Sequence, residues 1–197
     1  PEESIKTVTE TAATDANPDS YRRKDETTAD QWAVIRQPTP ANQRRDADRN
    51  HVIQHTLATS SEGYNTHQLT QNHKTPTKTE RAGADDEMIF GALCHDIGKA
   101  VSVPNHGAIS AEMIKPYVRD DVYFAIRHHQ DFQGKHYYNH FGAPTDLREQ
   151  FRDQPWFGLC EEFTDDWDQQ AFDPDYDTLP LDHFEPLVRE MTAHVKS

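Results

Sequence analysis

Cysteine is scarce in this chain: its 197 residues contain two, Cys94 and Cys160. Two thiols make no disulfide framework, and Cys94 sits in an apolar run where a small buried thiol is the ordinary occupant. Long apolar runs are missing as well. No stretch reaches the roughly 18 apolar residues that a membrane-spanning helix needs. No apolar signal segment opens the chain, which begins at Pro1 rather than Met. These features lead us to expect a trimmed terminus and a soluble, cytoplasmic protein with no membrane partner. Positive charge is the third shortage. Lys and Arg number 20 against 34 Asp and Glu, a formal charge of −14. Between Asp146 and Glu190 stand 14 acids and 3 bases. Such a surface disfavours nucleic acid as a partner, while leaving room for a small anionic substrate in a local basic pocket. The ordinary meaning of an acidic stretch is a solvated face.

What is present is uneven along the chain. Hydrophobic residues make up 34 % of it, and the mean hydropathy is −0.96, polar for a compact fold. Part of the chain therefore contributes little to a core. Residues 1–50, rich in Thr, Asp, Ala, Arg and Pro, read as a polar, partly irregular N-terminal arm, with Trp32, Val34 and Ile35 as a small anchoring cluster. Residues 51–197 read as the folded domain. Its first stretch, to Arg81, is weakly helical, and Pro76 breaks or kinks any helix through it.

The pattern sharpens after Gly83. Asp85, Asp86 and Glu87 supply a cap and an acidic first turn, followed by Met88, Ile89, Leu93 and Ile97 at helical spacing, with Gly98 as a stop. Asn105 is positioned to cap a second helix through Ile109, Met113 and Ile114, ended by Pro116. A third runs from Asp120 to His129, followed by a polar, aromatic connection over 130–143. Further helices are expected at 145–152, 156–171 and 181–194, with a turn at 173–177. No run alternates with period two and no internal repeat is apparent, so the expected class is all-α.

The most informative residues are His95 and Asp96, at the end of the first strong helix. Adjacent residues on a helix point roughly 100° apart, so one ion rarely takes both. An imidazole and a carboxylate presented together suit a pair of close cations, the imidazole on one and the two carboxylate oxygens bridging to the other. The dipeptide alone is weak, and any single histidine is more often a core or surface residue. The ordered set His95-Asp96, His106, His129 and Asp168 on successive helices is a different matter. Imidazole and carboxylate donors without thiolate suit iron, manganese or another borderline to hard divalent ion.

These residues resemble the metal-binding core of the HD-domain superfamily over about residues 62–190. Cys94-His95-Asp96-Ile97-Gly98-Lys99, Ile126-Arg127-His128-His129 and Trp167-Asp168-Gln169 look most like the mixed-valent diiron oxygenases of that superfamily, the myo-inositol and hydroxyphosphonate-cleaving types. The resemblance implies an HD-type helical bundle with its metal site between helices. It implies an enzyme that uses dioxygen to cleave a C–C or C–P bond next to a hydroxylated carbon of a small polar or anionic substrate. The implied cofactor is a mixed-valent Fe(II)/Fe(III) pair, with Mn or Mg as the alternative metal. Asp96 would bridge, His95 and Asp168 would hold the first iron, and His106 and His129 the second. Lys99 corresponds to a catalytic, substrate-contacting position. Lys135 is a candidate second anion contact, and Tyr64 a candidate lid residue.

One departure stands out. Where the family pattern has a further histidine for the first iron, this chain has Gln71, whose amide oxygen is a weaker ligand for iron. His67 lies one helical turn earlier and His73 about 200° around the helix, so neither replaces it without moving the backbone. An impaired or altered first site is expected. The alternative reading is an HD-type metal-dependent phosphohydrolase, and a third is a binding protein without turnover.

Overall fold

Apolar spacing predicts helices, and helices form. The computed structural model describes residues 67–173, 175–193 and 196, and among them there is no strand. The expected arm over 1–50 and Tyr64 lie outside the described residues.

The first helix, α1 (His67–Arg81), passes straight through Pro76 instead of breaking there. An interior proline costs a helix about 3 kcal/mol, and tertiary bonds to the segment that follows Asp168 offset it. The buried Lys74 donates to the Asp173 carbonyl. Thr77 accepts the Leu179 N–H at 3.2 Å, and Arg81 donates to the Asp177 carbonyl at 2.7 Å. The Lys78 ammonium lies 3.9 Å from the centre of the Tyr176 ring. The stretch expected as a turn is thus a strap across α1. Within the helix, Thr77 and Thr79 return their hydroxyls to carbonyls four residues back, at 2.6 and 2.8 Å.

Helix α2 (Asp86–Cys94) begins as its sequence indicates, with the Asp85 carboxylate accepting the Met88 N–H at 3.0 Å. Every residue from Met88 to Cys94 is buried, so α2 is the central helix of the domain. Its large side chains Met88, Ile89, Phe90 and Leu93 each contribute roughly 1.5–3 kcal/mol by leaving water. A 3-10 turn over Ile97–Ala100 follows. Gly98 serves not as a helix stop but as a point of close approach. A Cβ there would lie 2.3 Å from the His106 carbonyl oxygen.

Helix α3 (His106–Ile114) starts without the expected Asn105 side-chain cap. Helix α4 (Asp120–Tyr137) runs two turns past its expected end at His129. The reason is Phe132, fully buried, which continues the inward stripe of Val122, Ala125 and His129 through an otherwise polar stretch. The helix expected over 156–171 is three pieces: α5 (Phe157–Glu162), a π-helical segment Phe163–Asp168, and a 3-10 turn Gln169–Phe172. Leu147–Phe151 is 3-10 rather than α, and the last expected helix divides into a 3-10 turn Leu181–Phe184 and α6 (Glu185–Ala193).

Candidate metal centre

Four elements deliver the charged and ligating groups. His95 and Asp96 follow α2, His106 opens α3, His129 lies in the middle of α4, and Asp168 ends the π segment. All five are buried. The Asp96 carboxylate stands between two sets of donors. Its Oδ1 faces His106 Nε2 at 3.0 Å and His129 Nε2 at 3.9 Å, and its Oδ2 faces His95 Nε2 at 3.4 Å. His95 Nε2 also lies 3.3 Å from Asp168 Oδ1. The donor atoms of Asp96, His106 and His129 all fall within 4.8 Å of one another.

The three imidazoles share one local device. Each Nδ1 lies 2.7 Å from the carbonyl oxygen three residues earlier: His95 to Ala92, His106 to Val103, His129 to Ile126. A carbonyl only accepts, so each Nδ1 carries a proton, and in the neutral ring each Nε2 offers its lone pair inward. His106 Nε2 and His129 Nε2 then face each other at 3.0 Å. Two lone pairs at that separation repel unless a proton or a cation lies between them. The nitrogen and oxygen donors, with the buried Cys94 outside the set, fit an ion such as iron or manganese.

The carboxylates are held by groups the chain pattern does not reveal. Thr75 on α1 donates to Asp168 Oδ1 at 2.9 Å, and Gln133 on α4 donates to Asp168 Oδ2. Lys99 donates to Asp96 Oδ2 at 2.6 Å. Burial works against charge on His95, yet Asp96 and Asp168 outweigh it and push that imidazole up to about 9. Burial, with His95 and His106 nearby, pushes His129 down to about 4. Burial would raise both carboxyls, but His95, Lys99 and His106 hold Asp96 well below the usual range, and His95 holds Asp168 down. Two anions buried together draw a proton onto His95 or a metal cation into the cluster, and the same field serves either.

A cavity of about 610 Å³ opens on this cluster, with Asp96, His106 and Asp168 in its wall. Lys99 also lines it, as do Gln130, Gln133, His136 and Tyr137 from the unexpected extension of α4, together with Gln169, Val103 and Phe141. Burial, then the nearby Tyr138 and carboxylates, push the Tyr137 phenol up to about 12, so it stays a hydrogen-bonding hydroxyl. Lys135 is placed elsewhere. It is half exposed and sits 3.4 Å from Asp165, outside the cavity lining. Gln71 lies one turn before Thr75 on α1. Sequence reasoning missed Gln130, Gln133, His136 and Tyr137 because 130–143 was expected to be a connection. Their offsets from His129 are the signal that a continued helix would have provided.

Fold and cluster together define a class, the all-helical domain with a histidine–aspartate metal centre between its helices. The HD domain family profile matches residues 52–168, more than half of the chain, and the protein belongs to that family. HD domains bind divalent metals and are commonly metal-dependent enzymes. No curated protein matches the chain. Among the described residues no helix is long and apolar enough to cross a membrane.

Proposed function

We propose that this HD domain is a diiron oxygenase that uses dioxygen to cleave a C–C or C–P bond beside a hydroxylated carbon of a small polar or anionic substrate. The observation that carries this reading is the placement of Asp96, one oxygen toward His106 and His129 and the other toward His95. A carboxylate so flanked suits two adjacent cations. In this assignment Asp96 is shared, His106 and His129 belong to one iron, and His95 and Asp168 to the other. A mixed-valent iron pair, when bound, supplies substrate coordination and dioxygen activation. The chain's own residues do the rest. Thr75 and Gln133 fix the Asp168 carboxylate, and the polar wall orients the substrate and limits water. Lys99, hydrogen-bonded to Asp96, presents the nearest ammonium to a hydroxyl or anionic group. The acidic composition supports a small diffusible partner rather than nucleic acid, and two buried cysteines agree with action in the cytoplasm.

The test is oxygen consumption by iron-loaded, partially reduced protein presented with polyols and hydroxyphosphonates. Uptake coupled to bond cleavage is expected, and no uptake at full iron occupancy overturns the reading. A metal-dependent phosphohydrolase is the second reading, favoured by the compact set Asp96, His106 and His129, which is sufficient for one ion. Phosphate release from nucleotides without oxygen, supported by Mn or Mg, would select it.

A further inference from the structure

The histidine that does not follow the pattern of the other cavity histidine is His136. His106 gives Nδ1 to a backbone carbonyl and turns Nε2 inward, whereas His136 gives Nε2 to the Asp165 carboxylate at 2.8 Å. A carboxylate only accepts, so Nε2 carries the proton and Nδ1 holds the lone pair of the neutral ring. Nδ1 has no hydrogen-bond partner among the described residues, and the ring lines the cavity. Asp165 is itself held in place. Arg148, nearly buried, reaches it at 3.0 Å and takes Glu161 at 3.0 Å with its other nitrogen. Burial would raise the Asp165 carboxyl, but the bonds from His136 and Arg148 hold it below the usual range. A partly buried ion pair thus aims one imidazole at the cavity, the arrangement by which a carboxylate fixes the tautomer and direction of a working histidine.

The position along α4 says which part of a ligand it meets. His136 stands seven residues after His129, close to the same helix face and about 10 Å further along the axis. That is further along the cavity wall from His129, one turn beyond the Gln133 that holds Asp168, and within the span of a small substrate anchored at the cluster. We propose that His136, aligned by Asp165, forms a distal subsite whose Nδ1 accepts a hydrogen bond from a hydroxyl at the end of the substrate remote from the metal cluster. The proposal rests on the cavity being the substrate site. His136 is the contacting residue and Asp165 the positioning residue.

The full chain loaded with zinc, which keeps it diamagnetic and prevents turnover, tests this with erythritol as the hydroxyl probe. Nitrogen-15 histidine spectra are expected to show His136 as the Nε2–H tautomer, with its Nδ1 resonance moving as erythritol is added. Losing one aimed hydrogen bond should weaken erythritol about tenfold in Asp165→Asn and in His136→Phe, and Asp165→Asn should lose the Nε2–H tautomer. If Asp165→Asn fails to fold, His136→Phe, which leaves the Asp165–Arg148 pair in place, decides alone. An Nδ1–H tautomer in the wild type, no erythritol binding to the wild type, or an affinity within twofold in the folded variants overturns the subsite. No step of this measurement uses oxygen, so a failed oxygen-uptake assay overturns the proposed reaction and leaves this result standing.

Discussion

Gly98→Ala is the substitution whose consequence follows most directly from geometry. The added Cβ would lie 2.3 Å from the His106 carbonyl oxygen and 2.9 Å from the His106 Cα. Both are backbone atoms, so no side-chain rotation relieves the clash. A carbon–oxygen contact settles near 3.3 Å, and the turn after Asp96 must separate from the start of α3 by about 1 Å. The Gly98 N–H also donates to Ser110 Oγ at 2.9 Å, a bond that the same displacement strains. Overpacking of this kind costs roughly 1–3 kcal/mol and the hydrogen bond about 1 more. The expected loss is about 2–4 kcal/mol, or roughly 10 °C in melting temperature for a chain of this size. The displacement also separates Asp96 from His106, now 3.0 Å apart. Metal ligands tolerate errors of about 0.2 Å, so affinity should fall by an order of magnitude or more. Thermal unfolding of chelator-treated protein reads the first effect, and a metal-competition titration reads the second. Gly158→Ala is the control. Its Cβ meets nothing within 4 Å, and it lies in α5, so alanine is expected to be neutral or stabilising by up to about 1 kcal/mol. A Gly98→Ala protein that melts within 2 °C of wild type (roughly 1 kcal/mol or less) and keeps its metal affinity would refute the reasoning.

Two other outcomes are expected. Thr75→Val keeps the shape of a fully buried side chain but removes the donor to Asp168 Oδ1, so metal affinity should fall about tenfold while the fold survives; a chelator competition showing no change would contradict it. Asp165 has its pKa depressed in the folded state by His136 and Arg148 against the effect of burial. Its stabilising contribution is therefore present above the unfolded value of about 3.9 and lost as pH falls through the folded one. Arg148→Met removes one cause of the depression and should move the acid-unfolding midpoint to higher pH, read by circular dichroism; an unmoved midpoint would count against the ion pair.

How much of this was legible depended on whether the governing contact was local. The cap at Asp85, the apolar run of α2 and the order of histidines and aspartates could all be read along the chain, because each depends on spacing within a few turns. The passage of α1 through Pro76 could not. Its support comes from Asp173, Asp177 and Leu179, about a hundred residues away. Gly98 was visible as a glycine, but its role depends on α3 arriving against it. The continuation of α4 to Tyr137 was hidden by polarity, since one buried phenylalanine had to outweigh several residues that read as a loop. That misreading removed Gln133, His136 and Tyr137 from the candidate site. The π segment was not legible along the chain either; its Asp165 and Asp168 bond to Arg148, His136, Gln133 and Thr75, residues 17 to 93 positions away.

The same division runs through the metal centre itself. Each of the three histidines has its tautomer set by a carbonyl three residues earlier, a partner that belongs to its own stretch of backbone and that no side-chain substitution removes. Imidazole orientation here is therefore a property of local sequence, which is why the histidines identify the family so readily. The carboxylates are different. Asp168 depends on Thr75 from α1 and Gln133 from α4, and Asp96 Oδ2 depends on the side chain of the nearby Lys99, which a substitution can remove. What distinguishes one HD domain from another in metal preference or reaction should accordingly lie in these carboxylate partners and in the wall that α4 extends, rather than in the histidines.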